Sequence, residues 1–388
     1  MRTKVTLLLI STAAIAAACA GTLPDDEPDR AAPVFNPNEP EDPDDAPIPE
    51  EAYDVLNERV LDPSEALRTT SLKLLGRLPT LAEIKAVESG GQAAYEARLD
   101  AMLTTPDFAK RMIRWWQDIM RQGGGPGDDR NTAPTLAAKL IVEGRPFLEI
   151  LTATDNCATY DAASNTFAAA PCQSGAPAEA GVLTSPGVMR QFRGNMAFRR
   201  VRWIQEIFAC QEMPAEQGDT QEDIDGGVFR GPWPFASISG SPVDFLSTEG
   251  TTCANCHQTL NHVAPLVGHF DADGRFQEAF AVLTNVGGEE VPAERDHWLP
   301  EGEPTAWRFG KPATTLEELG QVMAADPAVQ SCVVARAWNF VMSKEDIVSA
   351  GAVVPEEVIQ PYVDRFRADL DLKETLRAMF KGDDFIKR

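Results

Sequence analysis

The chain is short of positive charge and of histidine: 35 Lys and Arg stand against 59 Asp and Glu, and only 4 of 388 residues are His. The resulting formal charge of −24 argues against a nucleic-acid partner and against adhesion to an anionic membrane face, since both select basic surfaces. Beyond residue 19 no apolar run approaches the roughly 20 residues that span a bilayer. Gly123-Gly124-Gly125-Pro126-Gly127 is followed by no Gly-Lys-Ser/Thr and so forms no phosphate loop. No Ser-His-Asp set, carboxylate pair or metal-hydrolase constellation stands out, which leaves hydrolysis without support.

Cysteine is scarce, with 7 residues, but it is placed informatively. Cys253-Ala254-Asn255-Cys256-His257 is the C-x-x-C-H motif of c-type haem attachment. Two thiols at that spacing add across the porphyrin vinyl groups, and the adjacent imidazole reaches the iron as proximal ligand. A zinc site would need two more ligands, and His262 and His269 lie closer than zinc-finger spacing allows. A redox dithiol belongs at a strand-to-helix junction, whereas Thr251-Thr252 follow a Gly- and Pro-rich stretch.

The N-terminus reads as an export signal over residues 1–18. Arg2 and Lys4 form the charged region, Val5 to Ile15 the apolar region and Ala16-Ala17-Ala18 the cleavage stretch. Cys19 follows, as in a bacterial lipoprotein, although Ala16 stands where such signals usually carry Leu. Ordinary signal-peptide cleavage is the alternative. Ala20 and Gly21 carry no inner-membrane retention acid, which favours the outer membrane. Both routes lead out of the cytoplasm, where c-type haem is attached.

With Cys19 assigned to lipid and Cys253 and Cys256 to haem, Cys157, Cys172, Cys210 and Cys332 remain. An even remainder in an oxidising compartment reads as two disulfides. Proximity favours Cys157–Cys172 and elimination leaves Cys210–Cys332, among the three possible pairings. Closing the shorter loop is worth ~3 kcal/mol in the chain-entropy account.

Residues 19–51 form an acidic tether. Pro24 to Glu51 holds eight prolines and eleven acids against one Arg, a composition that self-repels and cannot bury a core. Residues 52–127 form a helical N-terminal domain. Its starts are Asp62-Pro63-Ser64-Glu65, Thr80-Leu81-Ala82-Glu83, a segment from Gln92 to Leu103, and Thr105-Pro106-Asp107. Phe108, Met112, Trp115 and Ile119 line one face of the last helix, a core stripe rather than a haem contact. Residues 128–194 read as short helices and loops, clipped by a disulfide.

Residues 195–300 carry the haem motif. Asn195 is expected to cap a helix burying Ala197, Phe198, Val201, Ile204 and Phe208, with Arg199, Arg200 and Arg202 on its polar face. From that cluster Arg199 is the candidate partner for a haem propionate, a solvated face being the other reading. Asp271-Ala272-Asp273-Gly274 lacks the spaced Glu of a calcium loop and reads as a turn. For the sixth iron position Met189, in the Pro/Gly stretch Ser185-Pro186-Gly187-Val188-Met189, leads Met196, Met323 and His269. Residues 301–388 return to helices, starting at Thr315 and Asp326-Pro327 and ending with Leu372 to Lys381.

The stretch Leu61 to Arg121, with "LLGRLPTLAEI" and "YEARLDAMLTTPDFAKRMIRWWQDIMR", resembles the N-terminal domain of unknown function in planctomycete- and myxobacterial-type secreted cytochrome proteins. "GVLTSPGVM", the arginine-led helix, Cys210 to Pro214, one C-x-x-C-H motif and "FDADGR" follow in the same order. Leu316 to Phe385 is similar to the family's C-terminal helical domain. This chain departs at Leu260 to Pro265, where many relatives have an Asp-Pro or Asn-Pro turn. The resemblance implies a fold and a haem but no settled activity.

The expected architecture is mostly α-helical: a helical N-terminal subdomain, a loop-rich cytochrome c-like haem domain and a helical C-terminal subdomain. The expected function is that of an exported, lipid-anchored monohaem c-type cytochrome transferring electrons to a redox partner, for which the acidic surface suits a basic protein. A peroxidase-like haem oxidoreductase with an open iron position, and a surface binding lipoprotein with structural haem, are the alternatives.

Overall fold

The computed structural model describes residues 59–211, 259–286, 289–299, 301–308, 311–346 and 354–387. Cys19, the acidic tether, Cys253, Cys256 and His257 lie outside the described residues. The fold is mostly α-helical.

Local chemistry sets the first three helices. Asp62 accepts from the backbone N–H of Ser64 and Glu65 to start α1 (Pro63–Leu75), and Gly76, at φ 68°, closes it. Thr80 and Glu83 form a reciprocal capping box on α2 (Leu81–Met102). That helix absorbs the two segments expected over residues 80–103. It breaks locally at Gly91 (φ 58°, ψ −146°) and then continues. Thr105 caps α3 (Pro106–Met120). Phe108, Met112 and Ile119 are buried, and Trp116 is more deeply so than Trp115, whose ring stacks on Phe340 at 4.5 Å.

The region 128–194 is more regular than its composition suggested. A twelve-residue helix, α4 (Thr132–Glu143), packs on α3. A hairpin of β1 (Cys157–Asp161) and β2 (Thr166–Ala170) pairs Cys157 with Ala170 and Tyr160 with Phe167. A disulfide joins Cys157 to Cys172. Met189 sits in a short helix, α5 (Pro186–Gln191), rather than in a loop.

Next comes α6 (Phe198–Phe208), preceded by a left-handed turn instead of an Asn195 cap, and Asn195 makes no capping hydrogen bond. The helix α7, residues 259–267, is buried along its length. Two small hairpins follow, β3 (Leu283–Val286) with β4 (Glu289–Pro292) and β5 (Ala306–Arg308) with β6 (Lys311–Pro312). Then come α8 (Leu316–Ala324), α9 (Pro327–Val341), α10 (Glu356–Asp369), α11 (Leu372–Lys381) and α12 (Asp383–Ile386).

The two ends of the described chain meet. Leu61 bridges Lys387, the Asp62 N–H donates to the Ile386 carbonyl at 3.0 Å, and Tyr95 donates its buried hydroxyl to the Phe380 carbonyl at 2.8 Å. The seam between α6 and α9 is fixed covalently and by charge. Cys210 is bonded to Cys332, and Arg336, fully buried, donates to the Glu206 carbonyl and pairs with Asp346. The Glu206 carboxylate is itself buried and bonded by Arg202 at 2.6 Å and Arg121 at 2.9 Å.

Arg200 departs most from its expected place. It is 1% exposed, although periodicity put it on the polar face. Its Nε donates to the Met189 carbonyl (2.9 Å), Nη1 to the carbonyls of Val267 and Phe270 (both 2.8 Å), and Nη2 to that of Asp271 (3.0 Å). Guanidinium is the one side chain with enough donors in a rigid fork to serve four carbonyls. Burial pushes its pKa down to about 10, against an opposing pull from Asp271, so it remains protonated at neutral pH.

Two outcomes follow for stability. The Glu83 carboxylate, bonded by Arg77 at 3.0 Å and by the Thr80 N–H at 2.6 Å, is held at a pKa of about 2, below its ordinary 4.5. A lowered folded-state pKa contributes stability above 4.5 that is lost as pH falls toward 2. Glu83→Gln should therefore cost on the order of 2 kcal/mol near neutrality and flatten the acid limb of a urea-midpoint-against-pH curve. Arg200→Met leaves three buried carbonyls and one half-buried carbonyl without their donor and should cost at least about 3 kcal/mol. Arg200→Lys should lose an intermediate amount, because one ammonium cannot span all four. Urea denaturation followed by far-ultraviolet circular dichroism measures each, and a loss below about 1 kcal/mol for Arg200→Met would contradict the assignment.

Candidate functional site

The element that follows the C-x-x-C-H motif in the chain is α7. Its first described residue, Thr259, comes two positions after His257 in sequence, and Thr259 to Val267 are all buried. At its start the Asn261 amide donates to the Trp298 carbonyl at 2.7 Å. One residue later His262, 4% exposed, holds Glu303 through Nε2 at 2.5 Å. A carboxylate only accepts, so Nε2 carries the proton in that bond. At the far end Arg200 satisfies the Val267 carbonyl, one of the acceptors that a helix C-terminus leaves open.

The loop after α7 is equally ordered. His269 donates from Nδ1 to the Gln277 carbonyl at 3.1 Å, and its half-buried ring lies against Phe276 (5.1 Å) and Phe280 (4.4 Å). Asp271 to Gly274 form a turn: Asp271 Oδ1 accepts from the backbone of Asp273 and Arg275, both at 2.9 Å. Gly274, at φ 76°, lies so close to Pro186 that a Cβ would overlap its carbonyl oxygen. That contact seats the turn on the first turn of α5.

A left-handed segment enters the same neighbourhood. Gly194, Asn195, Met196 and Ala197 have φ of 100°, 48°, 49° and 66°. Glycine and asparagine tolerate this region, whereas Met and Ala sit there at about 1–2 kcal/mol each. Surrounding bonds hold them in place. The Trp298 indole N–H donates to the Met196 carbonyl at 3.2 Å, and the Thr284 hydroxyl donates to Met196 Sδ at 3.1 Å. Trp298 is fully buried and so joins Met196 to Asn261, near the start of α7.

The other residues singled out by sequence fall elsewhere. Met189 is fully buried in α5 and meets the opposite end of α7 through Arg200. Met323 is fully buried in α8, and Arg199 is exposed on α6. The spacing of the chain gave no sign of Trp298, Thr284 or Glu303, each of which acts across 37 to 88 residues of sequence.

Phe280 and Trp298 lie edge to face at 4.9 Å beside Gly268, at the end of α7.

Residues 51–140 match a family described as "PSCyt2: Protein of unknown function (DUF1549)". The match takes in α1 to α3 and most of α4, and ends before the haem motif. No curated protein and no solved structure matches the chain. Over those residues the chain is similar to this family of unknown function.

Proposed function

We propose that this chain is an exported, lipid-anchored monohaem c-type cytochrome that transfers electrons. Cys253 and Cys256 bind the haem covalently, His257 is the proximal ligand, and Cys19 bears the lipid. One observation carries the reading: in sequence the C-x-x-C-H motif ends two residues before the described part of a buried helix that is bonded at Asn261 and at Val267. A haem fixed at residues 253–257 would thus be attached to a rigid element, which keeps reorganisation on electron transfer small. Two disulfides support an oxidising, extracytoplasmic compartment, and the PSCyt2 match supports a cytochrome context.

Bound haem supplies a ferric–ferrous one-electron couple. The chain's own residues orient and shield it. Asn261 and Arg200 fix the two ends of α7, and Trp298 and Phe280 exclude water along it. Arg199, exposed on α6, offers a guanidinium to a propionate. Removing Arg2 and Lys4 with the signal takes the formal charge from −24 to −26. Such a surface steers a basic redox partner, with an association rate that falls as salt rises.

Protein made in a host with c-type maturation should keep its haem through acid-acetone extraction. Cys256→Ala should shift the pyridine haemochrome band as one thioether is lost. Haem that extracts freely from the wild type would defeat the reading. In the second test, wild-type protein should partition with membranes and Cys19→Ser should move to the soluble fraction, since several acyl chains anchor stably where one does not. Recovery of the wild type wholly in the soluble periplasm would defeat lipidation while leaving the cytochrome intact.

A further inference from the structure

We infer that the turn between α1 and α2 is a membrane-contacting corner, which inserts leucine side chains into the surface of a lipid bilayer. The inference goes beyond the proposed function, and it needs neither the haem nor a lipid on Cys19.

Exposure picks out the place. Six large apolar side chains are exposed among the described residues, and three of them, Leu72, Leu78 and Leu81 at 38, 58 and 66%, surround this one turn. Ala82 and Ala86, both exposed, extend the apolar surface along α2. The turn itself is firmly built. Gly76, in the left-handed region, closes α1, the Ser71 hydroxyl donates to the Arg77 carbonyl at 2.8 Å, and Thr80 caps α2. One exposed leucine needs no account, whereas three on a rigid corner mark a surface that something covers.

Charge says what covers it. Residues 59–127 hold 10 Lys and Arg against 8 Asp and Glu, while the rest of the chain holds 25 against 51. At the corner Arg68 and Lys85 are exposed, and Lys85 has no ion pair among the described residues. The one acid between them in sequence, Glu83, is already neutralised by Arg77 and Arg98. Leucine tips flanked by cations suit an anionic lipid interface, where apolar groups enter the acyl boundary and cations meet phosphates. The chain's overall acidity does not prevent this contact, because salt at physiological strength screens charges more than about 8 Å away. A second copy fits less well, since it would set like-charged corners together and oppose two bodies of charge −24.

Such a contact is weaker than the ~10⁴ M⁻¹ of a single myristoyl chain. On a chain anchored through Cys19, as proposed above, it becomes intramolecular and effective at that strength. It would then hold the N-terminal domain against the bilayer.

The experiment uses the full mature chain begun at residue 19 with Cys19→Ser, so that neither signal nor acyl chain accounts for binding. At several millimolar lipid it should sediment with vesicles of phosphatidylethanolamine and phosphatidylglycerol, and less with phosphatidylcholine alone. Leu78→Ser combined with Leu81→Ser should lower the binding constant by about tenfold. Lys85→Gln should lower it by about fivefold on the anionic vesicles only. Leu283→Ser, at an exposed leucine of β3, should change nothing. Circular dichroism follows folding throughout. If the double variant fails to fold, an environment-sensitive fluorophore on Leu81→Cys should shift to the blue with vesicles, while the same label on Leu283→Cys should not. Absence of vesicle binding, or binding undiminished by the double substitution, overturns the corner. Self-association in place of vesicle binding, abolished by the double substitution, makes it a protein interface and overturns it too. Haem extraction and the partition of the lipidated wild type test the proposed function separately from both results.

Discussion

The guanidinium of Arg200 donates to four backbone carbonyls in the interior, and the position of α7 depends on it. Three of those carbonyls belong to the end of α7 and the turn after it, and the fourth belongs to α5. A single planar cation thus joins three chain segments where backbone acceptors would otherwise be stranded. No described carboxylate shares this site closely enough to bond it, and the lowered pKa records what burial costs the charge. The charge is tolerated because every nearby dipole presents its negative end, as at any helix C-terminus.

With one end of α7 held in this way, the start of the helix is positioned by smaller bonds. Asn261, Trp298 and Met196 form a chain of contacts: the Asn261 amide donates to the Trp298 carbonyl, and the Trp298 indole N–H donates to the Met196 carbonyl. Trp298 thereby links the strained Gly194–Ala197 turn to α7, bonding Asn261 through its carbonyl and packing its indole against Gly268. Strain at Met196 and order at α7 are therefore two aspects of one arrangement. Loosening Trp298 would relax the turn and free the helix start together.

The remaining structure keeps these pieces from drifting. The Cys210–Cys332 bridge spans 122 residues and locks α6, which bears Arg200, to α9. Beside it the buried Glu206 is neutralised by Arg121 and Arg202, and Arg336 binds the Glu206 carbonyl. The ends of the described chain close on each other through Leu61 and Lys387. Most described carboxylates lie at the surface, where charge is cheap to solvate.

The sequence by itself determined the helical class and most helix starts, because caps are local. Asp62, Thr80, Thr105, Thr315, Asp326 and Asp371 all bond N–H groups within three residues of themselves. It also supplied the C-x-x-C-H motif, which lies outside the described residues, and nearness in the chain pointed to the Cys157–Cys172 pair. Only the tertiary structure decided that Arg200 is core, that Asn195 caps nothing, that residues 157–170 form a hairpin, and that His262 meets Glu303. Hydrophobic periodicity reports where apolar side chains go, and it assigns every charge to solvent by default. A charge buried by acceptors 67 to 71 residues away leaves no local trace. The same holds for Met196: its turn has no distinctive residue pattern beyond Gly194, and it is held by Thr284 and Trp298 from 88 and 102 residues along the chain.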